Sequence, residues 1–165
     1  MSHPLAKRCS EHHNHLEVSN EALCIFLAWL LYNDVDRAVN SQTSLAEAWN
    51  FGATYLMPKF QDSVMHVLVP RLQDTYVCPD AVLEAYRVNE RDTLLQRAFV
   101  AQLAIDMICQ TGSQWEEKVF TKHKLENFAG FYLALKQAMC VTFDHNKCVE
   151  KSIEAADFLH DDADE

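Results

Sequence analysis

Turn-forming residues are nearly missing from this chain: its 165 residues include three glycines and four prolines. A many-stranded sheet needs a turn signal about every 8–12 residues, so this scarcity excludes a β-sandwich or barrel and favours a few long helices. Long apolar runs are missing too. Leu23 to Tyr32 is the longest, about half of the ~20 residues a membrane-spanning helix requires, so no membrane span is expected. The first twenty residues are polar and His-rich, which leaves no secretory signal. Positive charge is in short supply, with 14 Lys and Arg against 24 Asp and Glu and a net charge of −10. Phosphate backbones repel such a chain, so direct nucleic-acid binding is not expected. Catalytic signatures are also lacking: there is no glycine-rich phosphate loop, no G-x-S-x-G elbow and no H-E-x-x-H. The chain reads as a non-enzyme.

What is present is ordinary globular material, 49% hydrophobic and 23% charged, in a length that suits one domain. Six cysteines (9, 24, 78, 109, 140 and 148) do not form a secreted framework. Cys24 and Cys109 lie in apolar helical runs, where free cysteine behaves as a small hydrophobe. An intracellular protein, nuclear or cytoplasmic, is expected.

Periodicity predicts helices almost throughout. Residues 1–18 are a His-rich leader without periodicity, and the first helix starts at Ser19 or Asn20, either of which can cap it. Its residues are apolar around the whole circumference, from Ala22, Ile25, Phe26 and Trp29 to Leu23, Leu27, Leu30 and Leu31, so it is expected to be buried on every side. A second helix is predicted from a capping box of Ser44 and Glu47, with Gly52 permitting a close helix crossing. Pro58 suits the first turn of a third helix and Pro70 should end or kink it. Cys78-Pro79 opens a fourth, and a longer helix follows from about Arg91 to Cys109. Gly112 is placed as a C-cap, and Ser113 with Glu116 caps a short helix carrying Trp115, Val119 and Phe120. A periodic stretch runs from Leu125 to Val141, and a weaker helix from Lys147 to Leu159 precedes an acidic tail. The fold class is all-α.

Two clusters have metal-ligand chemistry. Cys9, His12, His13 and His15 fall within seven residues, but no second ligand pair follows at finger spacing, and a plain His-rich leader accounts for them. Cys140, His145 and Cys148 surround a loop between two helices, with Asp144 or His160 available as a fourth ligand of a structural zinc. Against this, Cys140 continues an apolar helical stripe, and a buried structural thiol is the cheaper explanation. His66 reads as a helix-surface residue.

Three segments together resemble a known family. They are IFLAWLLYNDV (25–35), LAEAWNFGATYLMPKFQDSVMHVLV (45–69) and VCPDAVLEAYRVNERDTLLQRAFVAQLAIDMIC (77–109). In their order and spacing they are similar to the C-terminal half of the BTB/POZ domain, with its helical extension, in proteins of filamentous fungi. The first resembles a helix ending in a tryptophan-leucine-tyrosine element. The second resembles paired helices separated by a Met-Pro step. The third resembles the extension, with Leu95, Gln96 and Arg97 in the place of its Leu-Arg element. Nothing in residues 1–18 matches the strands and helices that open a complete BTB domain, so the N-terminal half is missing from the match.

The resemblance implies a compact multi-helix interaction domain: a BTB-like region over 19–110, a helical extension over 111–160 and an acidic tail over 161–165. It implies a scaffold or adaptor without cofactors, in a transcription, chromatin or ubiquitin-ligase complex, binding protein partners or pairing as a homodimer. Trp29, Tyr32, Trp115, Val119 and Phe120 are the candidate partner-binding residues. The alternative is a small zinc-stabilised helical domain using Cys140, His145 and Cys148. In either case the apolar first helix needs a cover. Exposing ~400 Å² of such surface is unusual for a monomer, so the C-terminal helices or a second chain should lie on it.

Overall fold

A computed structural model describes residues 19–87, 92–109, 128, 130–144 and 153–160. Every regular element among them is helical, so the protein is all-α. Six α-helices run in chain order: α1 Asn20–Tyr32, α2 Gln42–Thr54, α3 Pro58–Asp74, α4 Pro79–Arg87, α5 Leu94–Cys109 and α6 Phe131–Asp144. Two short 3₁₀ turns, Asp36–Ala38 and Ala155–Phe158, join this set.

Local chemistry sets the boundaries. The Ser19 hydroxyl accepts from the Ala22 amide at 3.0 Å, and α1 ends at Asn33 in the left-handed region with its N–H on Trp29 O at 2.7 Å. The capping box of α2 is Ser41 with Ser44, not Ser44 with Glu47. Glu47 instead accepts a hydrogen bond from the Ser19 hydroxyl, which ties the start of α1 to α2. At the far end of α2, Met57 N bonds Gly52 O at 2.8 Å and Leu56 N bonds Ala53 O at 3.2 Å. This is a Schellman motif with leucine at the left-handed position, φ 55°, where glycine is usual.

Pro58 opens α3 as expected. Pro70 does not end it: the helix runs on to Asp74. The proline ring is exposed, while Val69 and Leu72 on either side are buried, so packing holds the last turn against the missing amide. α5 starts with a second box, in which Thr93 Oγ1 accepts from Gln96 N and Gln96 Oε1 accepts from Thr93 N. The Gln96 amide also donates to Ala85 O at 3.1 Å, joining α5 to the end of α4. Of the predicted C-terminal helix Lys147 to Leu159, the described part is residues 153–159, whose regular structure is the 3₁₀ turn Ala155–Phe158. Gly112 and the Ser113 box lie outside the described residues.

One hydrophobic core unites these elements. α2 packs on α1, α3 and α4, and α5 packs on α3, α4 and α6. Leu45, Phe60, Met65, Leu68, Leu72, Leu95, Phe99, Leu103 and Phe131 are fully buried. The α2–α3 crossing is close because Gly52 lacks a Cβ. One built there would stand 2.8 Å from Gln61 Cγ and 3.1 Å from Phe60 Cδ1. Residues 153–160 return to the body of the molecule. Ile153 and Phe158 are buried, Gln73 donates to Ile153 O, and the 3₁₀ turn packs on α3 and α5.

Candidate interaction surface

The face of α1 turned away from α2 is the most distinctive surface among the described residues. At 100° per residue, Ala22, Ile25 and Ala28 point inward and are buried. Leu23, Cys24, Leu27, Leu30 and Leu31 fall on the opposite side, where both Leu23 and Leu27 are 43% exposed, Leu30 is 59% and Leu31 is 67%. The expectation that α1 is buried on every side is therefore corrected. The helix is apolar on two faces, and α2 with the aromatic side chains of α3 covers one of them. Of the C-terminal helices expected to form the cover, α6 packs on α5, and much of the rest of the 111–160 extension lies outside the described residues.

The inner face is held by an aromatic cluster. Phe26 meets Phe51 at 5.2 Å and Phe60 at 5.4 Å between ring centroids, and Trp29 meets Phe60 at 5.2 Å. Trp29 Nε1 also donates to Ser63 Oγ at 3.1 Å. Each such ring pair contributes about 0.5–1.5 kcal/mol beyond its burial, so α1 is fastened firmly by one side. Tyr55 packs on the edge of this cluster, its ring 4.7 Å from Phe51, and is itself exposed. At the C-terminal end of α1, the Arg37 guanidinium lies over the exposed Tyr32 ring at 4.2 Å, a cation–π contact. Asp36 is engaged by Arg71 at 2.6 Å and Asp34 accepts from the Arg37 amide at 3.3 Å.

The five candidate partner-binding residues fare differently. Tyr32 is exposed at the C-terminal end of α1, on the Ile25 side of the helix and not among the outward leucines. Trp29, half-buried, is an anchor of α1 on α3. Trp115, Val119 and Phe120 lie outside the described residues. The leucines 23, 27, 30 and 31 form the outward stripe. Their all-round hydrophobicity was visible in the sequence, but the side facing solvent was not, because periodicity reports apolar character and not what covers it.

The metal chemistry is not assembled among the described residues, where no group of three or more His, Cys, Asp or Glu could hold an ion. Cys140 is exposed on α6, which corrects its reading as a buried thiol, and Cys24 is exposed on α1. His145 and Cys148 lie outside the described residues, as do Cys9, His12, His13 and His15. His160 is committed elsewhere. Its Nδ1 stands 2.7 Å from Asp62 Oδ1, its amide donates to the same oxygen at 2.9 Å, and its ring stacks on Trp49 at 6.4 Å. His66 is exposed on α3, as its pattern predicted.

Three buried polar groups were not legible in the sequence. The Gln42 amide donates to Thr75 Oγ1 and Tyr76 O and accepts from Cys78 N, which fixes the loop between α3 and α4. Asn50 donates to the backbone and side chain of Glu84, whose carboxyl burial raises above its usual range despite this bond and nearby Arg87. Asp106 is raised by burial as well, against opposing hydrogen bonds from Gln102 and the Val77 backbone. Burial, with a smaller contribution from Asp92, pushes the Tyr86 hydroxyl up to about 12.

No described helix is long and apolar enough to cross a membrane. Comparison with known proteins finds no matching family, no matching curated protein and no matching solved structure.

Proposed function

We propose that this protein is an intracellular, non-catalytic scaffold that binds other proteins through the outward face of α1. The observation that carries the reading is the row of four leucines, each 43–67% exposed, on a helix whose opposite side is locked into an aromatic cluster. Soluble monomers seldom leave such a contiguous apolar stripe open, and stripes of this kind mark interaction sites. A rigid helix presenting apolar anchors loses little conformational entropy on binding, which favours a docking role. The BTB resemblance of residues 25–109 adds an adaptor in a transcription, chromatin or ubiquitin-ligase complex as the setting, on analogy alone.

The test is quantitative affinity capture of the tagged chain from cells that express it, beside Leu30→Glu. The reading requires stoichiometric partners that are retained by the wild type and lost with the variant. Equal recovery by both refutes it.

A further inference from the structure

Residues 153–160 lie against α3 and α5 in the manner of a bound peptide. They run antiparallel to α3. Gln73 donates to Ile153 O at one end and Asp62 accepts from the His160 amide at the other, about 16 Å apart along the helix. The anchors are Ile153 and Phe158, both buried, while Glu154, Ala156 and Asp157 between them are exposed. Contact is thus made by an aliphatic side chain, an aromatic one five positions later and a hydrogen-bonding one two further on.

We propose that this groove is a peptide-binding site, filled in cis by the chain's own segment, which a segment of another protein enters in its place. Its last position suits arginine. The His160 ring lies parallel to the Trp49 indole, with 13° between the planes and 6.4 Å between centroids, and its Nδ1 stands 2.7 Å from Asp62 Oδ1. An aromatic face beside a carboxylate fits a planar cation best. A guanidinium stacks on the first, bonds the second through its fork of donors, and stays charged where imidazole does not. The occupant is therefore a segment with an aliphatic residue, an aromatic five positions on and an arginine two beyond that.

The cis segment is an imperfect ligand for this groove. Trp49 is 4% exposed, yet its indole N–H has no acceptor among the described residues. A buried unpaired donor is a cost that the present arrangement leaves standing. The grip is slight as well. Two buried side chains and the bonds from Gln73 and Asp62 are set against the ordering of residues 153–160, terms of similar size, so this segment opens more readily than the helices beneath it. The site is separate from the outward face of α1 and does not depend on its use.

Fluorescence anisotropy tests this with the full chain and a labelled synthetic octapeptide, the sequence of 153–160 with arginine in the last position. A tethered competitor acts at an effective concentration on the order of millimolar. Phe158→Ala loosens that competitor and leaves the groove's own side chains in place, so it should bind the peptide roughly tenfold more tightly than wild type. A peptide ending in alanine should bind roughly tenfold more weakly, and adding Asp62→Asn to Phe158→Ala should shrink that difference. In the wild type, excess peptide should speed hydrogen exchange at the amides of 153–160, a readout that needs no variant to fold. No saturable binding to a folded Phe158→Ala at about 1 mM peptide overturns the site, as does equal affinity for variant and wild type. If Phe158→Ala loses its helical circular dichroism, the exchange measurement decides, and unchanged exchange overturns the site. Equal binding of the arginine and alanine peptides overturns the arginine position. A wild-type dimer that Phe158→Ala abolishes gives the groove to a second copy and overturns the foreign segment. Leu30→Glu should leave all of these results unchanged, which keeps this site distinguishable from the α1 face.

Discussion

The close α2–α3 crossing supplies the sharpest stability test, Gly52→Ala. Two effects of opposite sign compete. Replacing a mid-helix glycine by alanine gains about 1 kcal/mol in helix propensity. The added methyl, however, arrives 2.8 Å from Gln61 Cγ and 3.1 Å from Phe60 Cδ1, and both side chains are buried, so neither can swing into solvent. Overpacking of this kind costs about 1–3 kcal/mol. The net result should be a loss of about 1 kcal/mol, or roughly 2–4 °C in Tm for a chain of this size. Gln61→Ala removes the nearer of the two obstructing atoms, so the double variant should lose less than the sum of the singles, with a coupling of about 1 kcal/mol. Urea denaturation followed at the helical circular dichroism band measures all four corners of this cycle. A Gly52→Ala protein more stable than wild type, or a cycle additive to within about 0.5 kcal/mol, refutes the argument that contact with Gln61 dictates glycine here.

Three further outcomes are expected. Leu56→Gly should stabilise the protein by about 1 kcal/mol, since leucine there is 87% exposed and held at φ 55° in a motif that glycine fits freely. A lowered urea midpoint means that the Leu56 side chain contributes more than its conformation costs. Gln42→Ala should cost about 2–3 kcal/mol, because it strands the Cys78 amide and the Tyr76 carbonyl beside a buried site; a midpoint within error of wild type contradicts that role. Asp106→Asn should flatten the pH dependence of stability. The buried Asp106 carboxyl keeps its proton after the unfolded chain has released it at about pH 3.9, so the native state binds more protons over that window. Stability therefore falls as pH rises from there through the raised native value. Urea midpoints between pH 4 and 7 should show the variant gaining on wild type as pH rises, whereas parallel curves refute it.

Helix identity was written in local chemistry, and local chemistry could be read. Ser19 as a cap, Pro58 at a first turn, Gly52 at a crossing and the start of α4 after Cys78 each depend on a few neighbouring residues, and each stands as expected. The misreadings share a different cause. Pro70 was expected to end or kink α3, and the helix does not end there, because burial of Val69 and Leu72 outweighs the lost hydrogen bond. Ser44 was taken as a cap because Glu47 follows at the right spacing, yet Ser41 holds that position and Glu47 serves α1 across 28 residues of sequence. The outward face of α1 was invisible for the same reason, since what lies against a helix is decided by distant elements. The buried amides of Gln42, Asn50 and Gln96 look in sequence like any surface polar residue, and their partners lie 33–36, 34 and 11 residues away.

The return of residues 153–160 to α2, α3 and α5 has a consequence for biosynthesis. α1 to α4 leave the ribosome first and can dock among themselves, but the surface where Phe158 and Ile153 belong stays uncovered until those residues are made. At about 5–20 residues per second, the interval between residues 87 and 153 is roughly 3–13 s. Throughout it, the nascent chain shows the cell both the unfilled site on α3 and the leucines of α1. The half-made chain is thus stickier than the finished one, and the arrival of His160 at Asp62 closes the period in which a chaperone has most to hold.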